Sequence, residues 1–213
     1  MTTVPETAAA DSIAELYERK ARAWSELRGG EPTLEQAWLD RFTAGMAAGT
    51  ILDLGAGNGW PIAAELLRRG FQVVGLDSSP TLMQEAAAFL PAGEWHVGDM
   101  RTFSTSRVFD GVLAWHSFFH LTPEDQKALF PQFAKLTAPG GRLMFTAGPR
   151  CGVSIGDWDG EPLYHASLDP EDYVALLAGH GFDLVDYVLE DATCGGATVW
   201  LASRRLQAPA TLA

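Results

Sequence analysis

Short apolar runs and stretches of helical periodicity alternate along most of this chain. Apolar runs of strand length begin at Ile51, Phe71, Phe109 and Leu143, and the segments between them carry apolar residues at helical spacing. Capping residues or prolines precede these helical segments, and glycines follow several of them. The pattern predicts an α/β fold in which helices cover both faces of a largely parallel sheet.

The predicted core occupies residues 48–203. A stretch rich in Gly, Asp and Trp, from Ala147 to Ser167, interrupts the alternation and is expected to be irregular. Loops of this length usually serve a binding function, so substrate specificity is expected here. The core helices are expected at 62–69, 81–90, 122–136 and 169–178. The remaining strands are expected near 94–97, 182–190 and 197–202.

Two helices are expected before the first strand. Ser12 and Glu15 have the spacing of a capping box, and the helix that follows them ends at the Gly29-Gly30 pair. A second helix is expected over 33–46. The first ten residues and the last eight are expected to be loosely held.

Three glycines at alternate positions follow the first predicted strand. The segment from Asp53 to Trp60 contains Gly55, Gly57 and Gly59. A strand, a glycine turn and a helix N-terminus in this order predict a nucleotide-type binding turn. A dinucleotide turn would have its third glycine where Trp60 stands, so the spacing disfavours that class.

The Asp-x-Gly-x-Gly-x-Gly segment resembles the first motif of the class I S-adenosylmethionine-dependent methyltransferases. The resemblance extends over about 48–203, with four motifs in the family's order. It implies a doubly wound, seven-stranded sheet of order 3-2-1-4-5-7-6 with strand 7 antiparallel. It also implies S-adenosylmethionine as the cofactor, with Asp53 facing its ammonium and sulfonium charges.

Further residues are assigned to the cofactor at the ends of later strands. Asp77 ends the second strand, where an acid commonly binds a ribose diol, and Ser78 follows it. By resemblance to the third motif, Asp99 accepts from the adenine amino group and the backbone of Met100 meets the ring. The fourth strand resembles the fourth motif, and Trp115 at its end is expected to face the site.

Aromatic residues of the first predicted helix extend this assignment. Tyr17, Ala21 and Trp24 resemble the aromatic-x-x-x-Ala-x-x-aromatic pattern of N-terminal extensions that cover the cofactor in this class. The alternative is an amphipathic helix that packs its aromatic side chains into the core.

Histidines are the candidate proton acceptors for methyl transfer. The reaction depends mainly on positioning, and a general base is needed when the nucleophile is a hydroxyl or a protonated amine. His116 and His120 flank the predicted crevice, and His165 lies beside Tyr164 at the end of the long stretch. His120 and His165 are the preferred candidates. Packing or capping roles are the alternative for each of them.

The long stretch also carries candidate substrate-binding residues. An acidic and aromatic lining that favours a cationic or aromatic amine could be formed by Asp157, Trp158, Asp159, Glu161 and Tyr164, together with the Glu190-Asp191 pair. Solvated loop acids are the alternative explanation.

Composition restricts the partners. Acidic residues outnumber basic ones 27 to 15, for a net charge of −12, which argues against nucleic acid because that partner requires clustered Lys and Arg. The two cysteines lack metal-ligand spacing. No secretion signal is recognised, and no apolar run approaches the roughly 20 residues of a membrane span. A metal-independent cytoplasmic protein, monomeric or homodimeric, is expected.

The primary hypothesis is methyl transfer from S-adenosylmethionine to an O, N or S nucleophile of a small molecule. An NAD-dependent oxidoreductase is the second, although Trp60 and the lack of a Tyr-x-x-x-Lys pair count against it. The third is a non-catalytic cofactor-binding protein on the same fold. In each case the chain is expected to be one domain, with a helical cap at 1–47, the core at 48–203 and a tail at 204–213.

Overall fold

The computed structural model describes residues 5–28, 34–46 and 48–206. The described part before the first strand is helical, as expected, but is divided into shorter segments. These are α1 (Glu6–Asp11), α2 (Ile13–Arg19), α3 (Ala21–Arg28) and α4 (Gln36–Thr43).

Strands and helices then alternate through the core. The elements of its first half are β1 (Thr50–Leu54), α5 (Ile62–Arg68), β2 (Gln72–Asp77), α6 (Pro80–Phe89), β3 (Glu94–Val97) and β4 (Phe109–Ala114). Those of its second half are α7 (Pro123–Leu136), β5 (Thr137–Ala147), β6 (Gly152–Trp158), β7 (Glu161–Ser167), α8 (Pro170–Gly179), β8 (Phe182–Asp191) and β9 (Ala197–Arg204). No helix in the described ranges is both long and apolar enough to cross a bilayer.

Seven of these strands form one sheet, in the order β3-β2-β1-β4-β5-β9-β8. The first five strands run parallel, whereas β9 is antiparallel to both β5 and β8. Because β8 and β9 are the sixth and seventh strands of this sheet in chain order, the predicted order 3-2-1-4-5-7-6 is confirmed. The order reverses between β1 and β4, which opens a crevice at the carboxyl ends of the strands.

The prediction of an irregular stretch from Ala147 to Ser167 is wrong. β6 and β7 pair in antiparallel register as a hairpin outside the main sheet, and its turn contains Asp159 and Gly160 with φ values of 53° and 81°. Nearly all of β6 is exposed, so its sequence lacks the apolar alternation that marks a half-buried strand. Its conformation depends on pairing with β7.

Helix α1 packs against this hairpin. Ala9 is fully buried in a small cluster with Tyr164 and Ala166. The expectation of a loosely held N-terminus is therefore wrong for residues 6–10. The Ser12 hydroxyl donates to the Ala9 carbonyl at 2.9 Å and does not cap α2, so the predicted capping box does not form.

Some terminal expectations lie outside the described residues. These are the state of residues 1–4, the helix end at Gly29-Gly30, the helix start at Thr33 and the tail beyond residue 206.

The two faces of the sheet carry separate apolar clusters. Phe145 of β5 belongs to the cluster beneath α7 and α8, and its neighbour Met144 belongs to the cluster beneath α4 and α5. Alternate residues of a strand point to opposite faces, so one strand serves both clusters. Each fully buried large apolar side chain contributes roughly 1.5–3 kcal/mol, which holds the strand ends at the crevice in place.

Candidate active site

The glycine turn between β1 and α5 depends on left-handed backbone. Gly55, Gly57 and Gly59 have φ values of 80°, 56° and 81°. A Cβ on Gly55 would overlap the side chain of Ser117, and one on Gly57 would lie 2.6 Å from the Trp24 ring. These two positions require glycine both for conformation and for space.

Gly59 has a different role from its two neighbours. A Cβ there would lie 2.7 Å from Leu90 and 3.0 Å from Trp95, and the residue does not line the adjacent cavity. Its absence of a side chain allows α6 and β3 to pack behind the turn.

A cavity separates the glycine turn from α2 and α3, and we call it the cofactor cavity. His116 and His120 lie in its wall, as do Ser117, Arg28 and Arg101, which were not expected there. Its volume is about 130 Å³, so the helices leave little room above the turn. Ten residues assigned to the cofactor from the sequence also line it: Tyr17, Trp24, Asp53, Gly55, Gly57, Asp77, Ser78, Asp99, Met100 and Trp115.

Two acids at the base of this cavity differ in their partners. Asp77 accepts hydrogen bonds from the backbone N–H groups of Gly57 and Ser79, each at 2.9 Å, and so ties the glycine turn to the end of β2. Asp53 is only 3% exposed, and no hydrogen bond to its carboxyl group forms among the described residues. Burial, with a smaller contribution from the Asp77 charge, raises the pKa of Asp53 to about 7.

Asp99 forms an ion pair with Arg101 that the sequence analysis did not predict. The Arg101 guanidinium donates to the Asp99 carboxylate from Nε at 2.9 Å and from Nη2 at 2.6 Å. Burial acts to raise the pKa of Asp99, but the hydrogen bonds from Arg101 hold it below its ordinary value. The sequence did contain a signal for this ion pair, because the acid and the arginine stand two residues apart after a strand.

Helix α2 is fastened over the cofactor cavity on two sides. Glu18 accepts from the hydroxyl of Thr81 at 2.7 Å and from that of Ser79, at the start of α6. On the other side, Lys20 Nζ lies 2.7 Å from Asp159 Oδ2 at the hairpin turn. Arg19 pairs with Glu161 in the same way, at 2.5 Å.

A second, more open cavity lies on the other side of His116. Its volume is about 580 Å³, and it is enclosed by the ends of β4 and β5, the start of β9 and the hairpin. The side chains that line it include Phe119, Thr146, Arg150, Cys151, Ser154, His165, Ser167 and Thr198. Arg150 is the only formally charged side chain in the described lining, and no carboxylate contributes to it.

Sequence comparison identifies the domain that carries these cavities. Residues 51–141 match the family model described as "Methyltransferase domain". The chain is 28% identical over 146 residues to the magnesium-protoporphyrin O-methyltransferase of Rhodobacter capsulatus, covering 66% of this chain and 63% of that protein. It is 30% identical over 137 residues to an uncharacterized methyltransferase of Geobacillus kaustophilus, covering 62% and 61%. The chain therefore spans less than two thirds of the length of these relatives.

Solved structures agree with this assignment. The Burkholderia thailandensis 1,6-didemethyltoxoflavin-N1-methyltransferase has a TM-score of 0.72 at 16% identity, covering 97% of this chain and 93% of that one. CalS10, an amino pentose methyltransferase from Micromonospora echinaspora, has a TM-score of 0.66 at 24% identity, covering 89% and 96%. These structural likenesses establish the fold, and the family match adds the sequence motifs. The comparisons support the resemblance to the class I S-adenosylmethionine-dependent methyltransferases, in sequence over residues 51–141 and in fold over most of the chain. The NAD-dependent alternative receives no support.

His120 is hydrogen-bonded at both ring nitrogens. Nδ1 lies 2.8 Å from the carbonyl oxygen of Tyr164, to which it must donate. Nε2 then accepts from the Tyr17 hydroxyl, also at 2.8 Å. Burial lowers the pKa of His120 to about 3, so the ring is neutral and links α2 to the hairpin.

His116 is held differently. Its ring has no hydrogen-bond partner among the described residues, and it lines both cavities. Its backbone is left-handed, with φ of 51°, and its N–H donates to Thr146 Oγ1 at 2.8 Å. Burial lowers the pKa of His116 to about 4, which leaves a neutral imidazole with a free lone pair. A strained non-glycine residue of this kind is often found at a functional site.

His165 and the candidate substrate residues occupy separate places on the hairpin. His165 lines the second cavity, and burial lowers its pKa. Asp157, Trp158 and Tyr164 line neither cavity. Asp157 accepts from Gly160 N in the exposed turn, the Trp158 ring lies 5.2 Å from that of Tyr17, and Tyr164 is buried beneath α1. The two aromatic residues thus pack against α2 and α1, and Asp157 stays in the exposed turn.

Proposed function

We propose that this protein transfers the methyl group of S-adenosylmethionine to a nucleophile of a small molecule. The observation that carries the proposal is the buried, unpartnered carboxyl group of Asp53 at the base of the cofactor cavity. Trp115, in the wall of the same cavity, has a buried indole N–H that also lacks a partner among the described residues. Buried polar groups of this kind call for partners on a ligand. A ligand with both a cation and hydrogen-bond acceptors supplies them.

The residues of the cofactor cavity suit the parts of such a ligand. Asp53 would pair with the ammonium group, and Asp77 would bind the ribose diol while it holds the glycine turn. Asp99 and Met100 would meet the adenine. When bound, S-adenosylmethionine supplies a methyl group on a positively charged sulfur. Because the cavity is narrow, α2 and α3 would move outward to admit a ligand of this size and return over it.

We assign the role of proton acceptor to His116. Its free imidazole lone pair lies between the two cavities, whereas both nitrogens of His120 are hydrogen-bonded and His165 lines only the second cavity. A hydroxyl nucleophile in the second cavity would pass its proton to the His116 ring as its oxygen bonds to the methyl carbon, while the carbon–sulfur bond breaks and its electron pair stays on a neutral sulfur. Holding the reacting atoms near 3 Å can supply roughly 7–11 kcal/mol of the barrier.

The remaining features of the proposal come from the sequence. The net charge of −12 favours a small molecule over nucleic acid as the acceptor. A cytoplasmic location, independence of metal and a monomeric or homodimeric state also belong to the proposal.

Ligand binding measured by thermal unfolding tests the cofactor assignment. S-adenosylhomocysteine at 100 times its dissociation constant should add about 2.7 kcal/mol to the folded state, which is several degrees for a chain of this length. Asp77→Ala should abolish the shift, and Asp172→Asn on the surface of α8 should leave it unchanged. A shift with NADH alone, or with neither compound, would refute the proposal.

A second measurement separates an enzyme from a protein that only binds the cofactor. His116→Gln should keep its affinity for S-adenosylhomocysteine and lose most methyl transfer to a hydroxyl acceptor. If the wild type binds the compound but forms none of it from S-adenosylmethionine with any acceptor tested, the non-catalytic alternative is correct.

A further inference from the structure

The second cavity has a charge that contrasts with the rest of the protein. Acidic residues outnumber basic ones 27 to 15 in the whole chain, yet the described lining of this cavity contains Arg150 and no Asp or Glu. The other titratable side chains of the lining are His116, His165 and Cys151. Burial lowers the pKa of both histidines, so neither carries a charge near neutral pH.

No acid of the segments next to this cavity belongs to its described lining. Asp169 accepts from the backbone N–H of Cys151 at 2.9 Å, and Asp159 and Glu161 pair with Lys20 and Arg19 at the end of α2. Glu190 contacts the lining through its backbone N–H, which donates to Thr198 Oγ1 at 3.1 Å. None of these carboxylates lines the cavity. A cationic acceptor would therefore find no counter-ion there, and would meet the charge of Arg150.

Arg150 lies in a loop that is fixed on both sides. Gly148 N–H donates to Ser167 Oγ at 2.5 Å, and Cys151 N–H donates to Asp169 Oδ1. The Arg150 side chain is exposed and forms no ion pair with the described residues. Most of the arginines in the described residues do pair with a carboxylate. Its guanidinium is therefore carried by a fixed backbone and has no ion-pair partner among the described residues. Such a group is suited to bidentate recognition of a carboxylate.

We propose that the second cavity selects acceptors that carry an anionic group, such as a carboxylate, in addition to a hydroxyl nucleophile. Arg150 binds the anion, and His116 faces the hydroxyl between the two cavities. The inference rests on the proposed methyl transfer and adds the charge class of its acceptor. It replaces the sequence-based expectation of a cationic or aromatic amine, because Asp159 and Glu161 pair with Lys20 and Arg19 and Asp157 lies in the exposed turn, so none of these acids lines the cavity.

Three phenols of matched shape test the proposal. 4-Hydroxyphenylacetate, 4-ethylphenol and tyramine share a ring and a two-carbon arm, which ends in a carboxylate, a methyl group and an ammonium. Their dissociation constants are measured by calorimetry on the full chain saturated with S-adenosylhomocysteine, so no turnover is needed. The acid should bind about tenfold more tightly than 4-ethylphenol, and tyramine should bind most weakly.

Variants assign the preference to one residue. Arg150→Gln should bring the acid to the affinity of 4-ethylphenol and leave 4-ethylphenol unchanged, while Arg150→Lys should retain part of the preference. Arg142→Gln, in the middle of β5 and outside the lining of both cavities, is the matched control and should bind all three compounds as the wild type does.

Three outcomes would overturn the proposal. They are equal or tighter binding of tyramine, no binding preference for the acid, and a preference that persists in Arg150→Gln. Loss of S-adenosylhomocysteine binding by the wild type would instead count against the proposed function, so the two failures are distinguishable.

Discussion

Replacing Asp53 with asparagine tests the electrostatics of the cofactor cavity. Burial, and to a smaller extent the Asp77 charge, raises the pKa of Asp53 from 3.8 to about 7. The folded protein therefore keeps a proton that the unfolded chain releases. Stability from this group is fully present below pH 3.8 and is lost as the pH rises to about 7. A shift of about three pKa units, at 1.36 kcal/mol each, makes the charged group cost about 4 kcal/mol above pH 7.

Urea unfolding of the ligand-free wild type and Asp53→Asn at pH 6.0 and 8.5 measures this cost. The variant should be more stable than the wild type at both pH values. Its advantage should reach up to ~4 kcal/mol at pH 8.5 and be ~1.4 kcal/mol smaller at pH 6.0. His116 and His120 have lowered pKa values and lose stability in the opposite direction, as the pH falls below 6.5. The comparison between two proteins cancels their contribution.

The same variant should bind S-adenosylhomocysteine poorly, because the neutral amide that replaces the carboxylate cannot neutralise an ammonium group. In the wild type, affinity should increase from pH 6.0 to 8.5 as Asp53 becomes charged, and in the variant this dependence should disappear. An advantage in stability that does not change with pH, or a variant less stable than the wild type at pH 8.5, would refute the reasoning.

Three further predictions concern the helices over the cofactor cavity. Tyr17→Phe leaves Nε2 of His120 buried without a donor, which should cost about 1–3 kcal/mol in urea unfolding; an unchanged midpoint would contradict the assigned hydrogen bond. Lys20→Gln and Asp159→Asn should each speed release of S-adenosylhomocysteine in stopped-flow experiments, with no added effect in the double variant. High salt should shrink this effect, and additive effects would show that the pair does not act together. Trp24→Ala removes the ring from the glycine turn and should weaken S-adenosylhomocysteine binding about tenfold, a loss of ~1.4 kcal/mol by titration calorimetry. An unchanged dissociation constant would show that the Trp24 ring does not contact the bound ligand.

Local sequence was sufficient to predict which residues lie at the base of the cofactor cavity. Gly55 and Gly57 could be recognised because their left-handed backbone and lack of space are requirements of one short segment. Asp77 and Asp99 could be recognised because each follows a strand, and parallel strands bring their carboxyl ends to one edge. The order of the main sheet followed from the same regularities and from the resemblance to a known family.

The roles of the histidines could not be obtained in this way. The partners of His120 are Tyr17 and Tyr164, which are 103 and 44 residues away in sequence. Whether its ring nitrogens are free or hydrogen-bonded depends on how α2 and the hairpin pack against it. The sequence favoured His120 and His165 over His116, and only the packing around His116 leaves its ring without a hydrogen-bond partner among the described residues, between two cavities.

The hairpin shows most clearly which properties the sequence determines and which only the tertiary structure decides. Its acids were visible in the sequence, and their number suggested a cationic substrate. The tertiary structure pairs Asp159 and Glu161 with Lys20 and Arg19, and leaves Arg150 in the lining of the second cavity. Sequence determines which charges a segment carries and where glycine is required, because these are properties of single residues and short segments. The direction in which a charge faces depends on partners far along the chain, and so only the folded structure decided it.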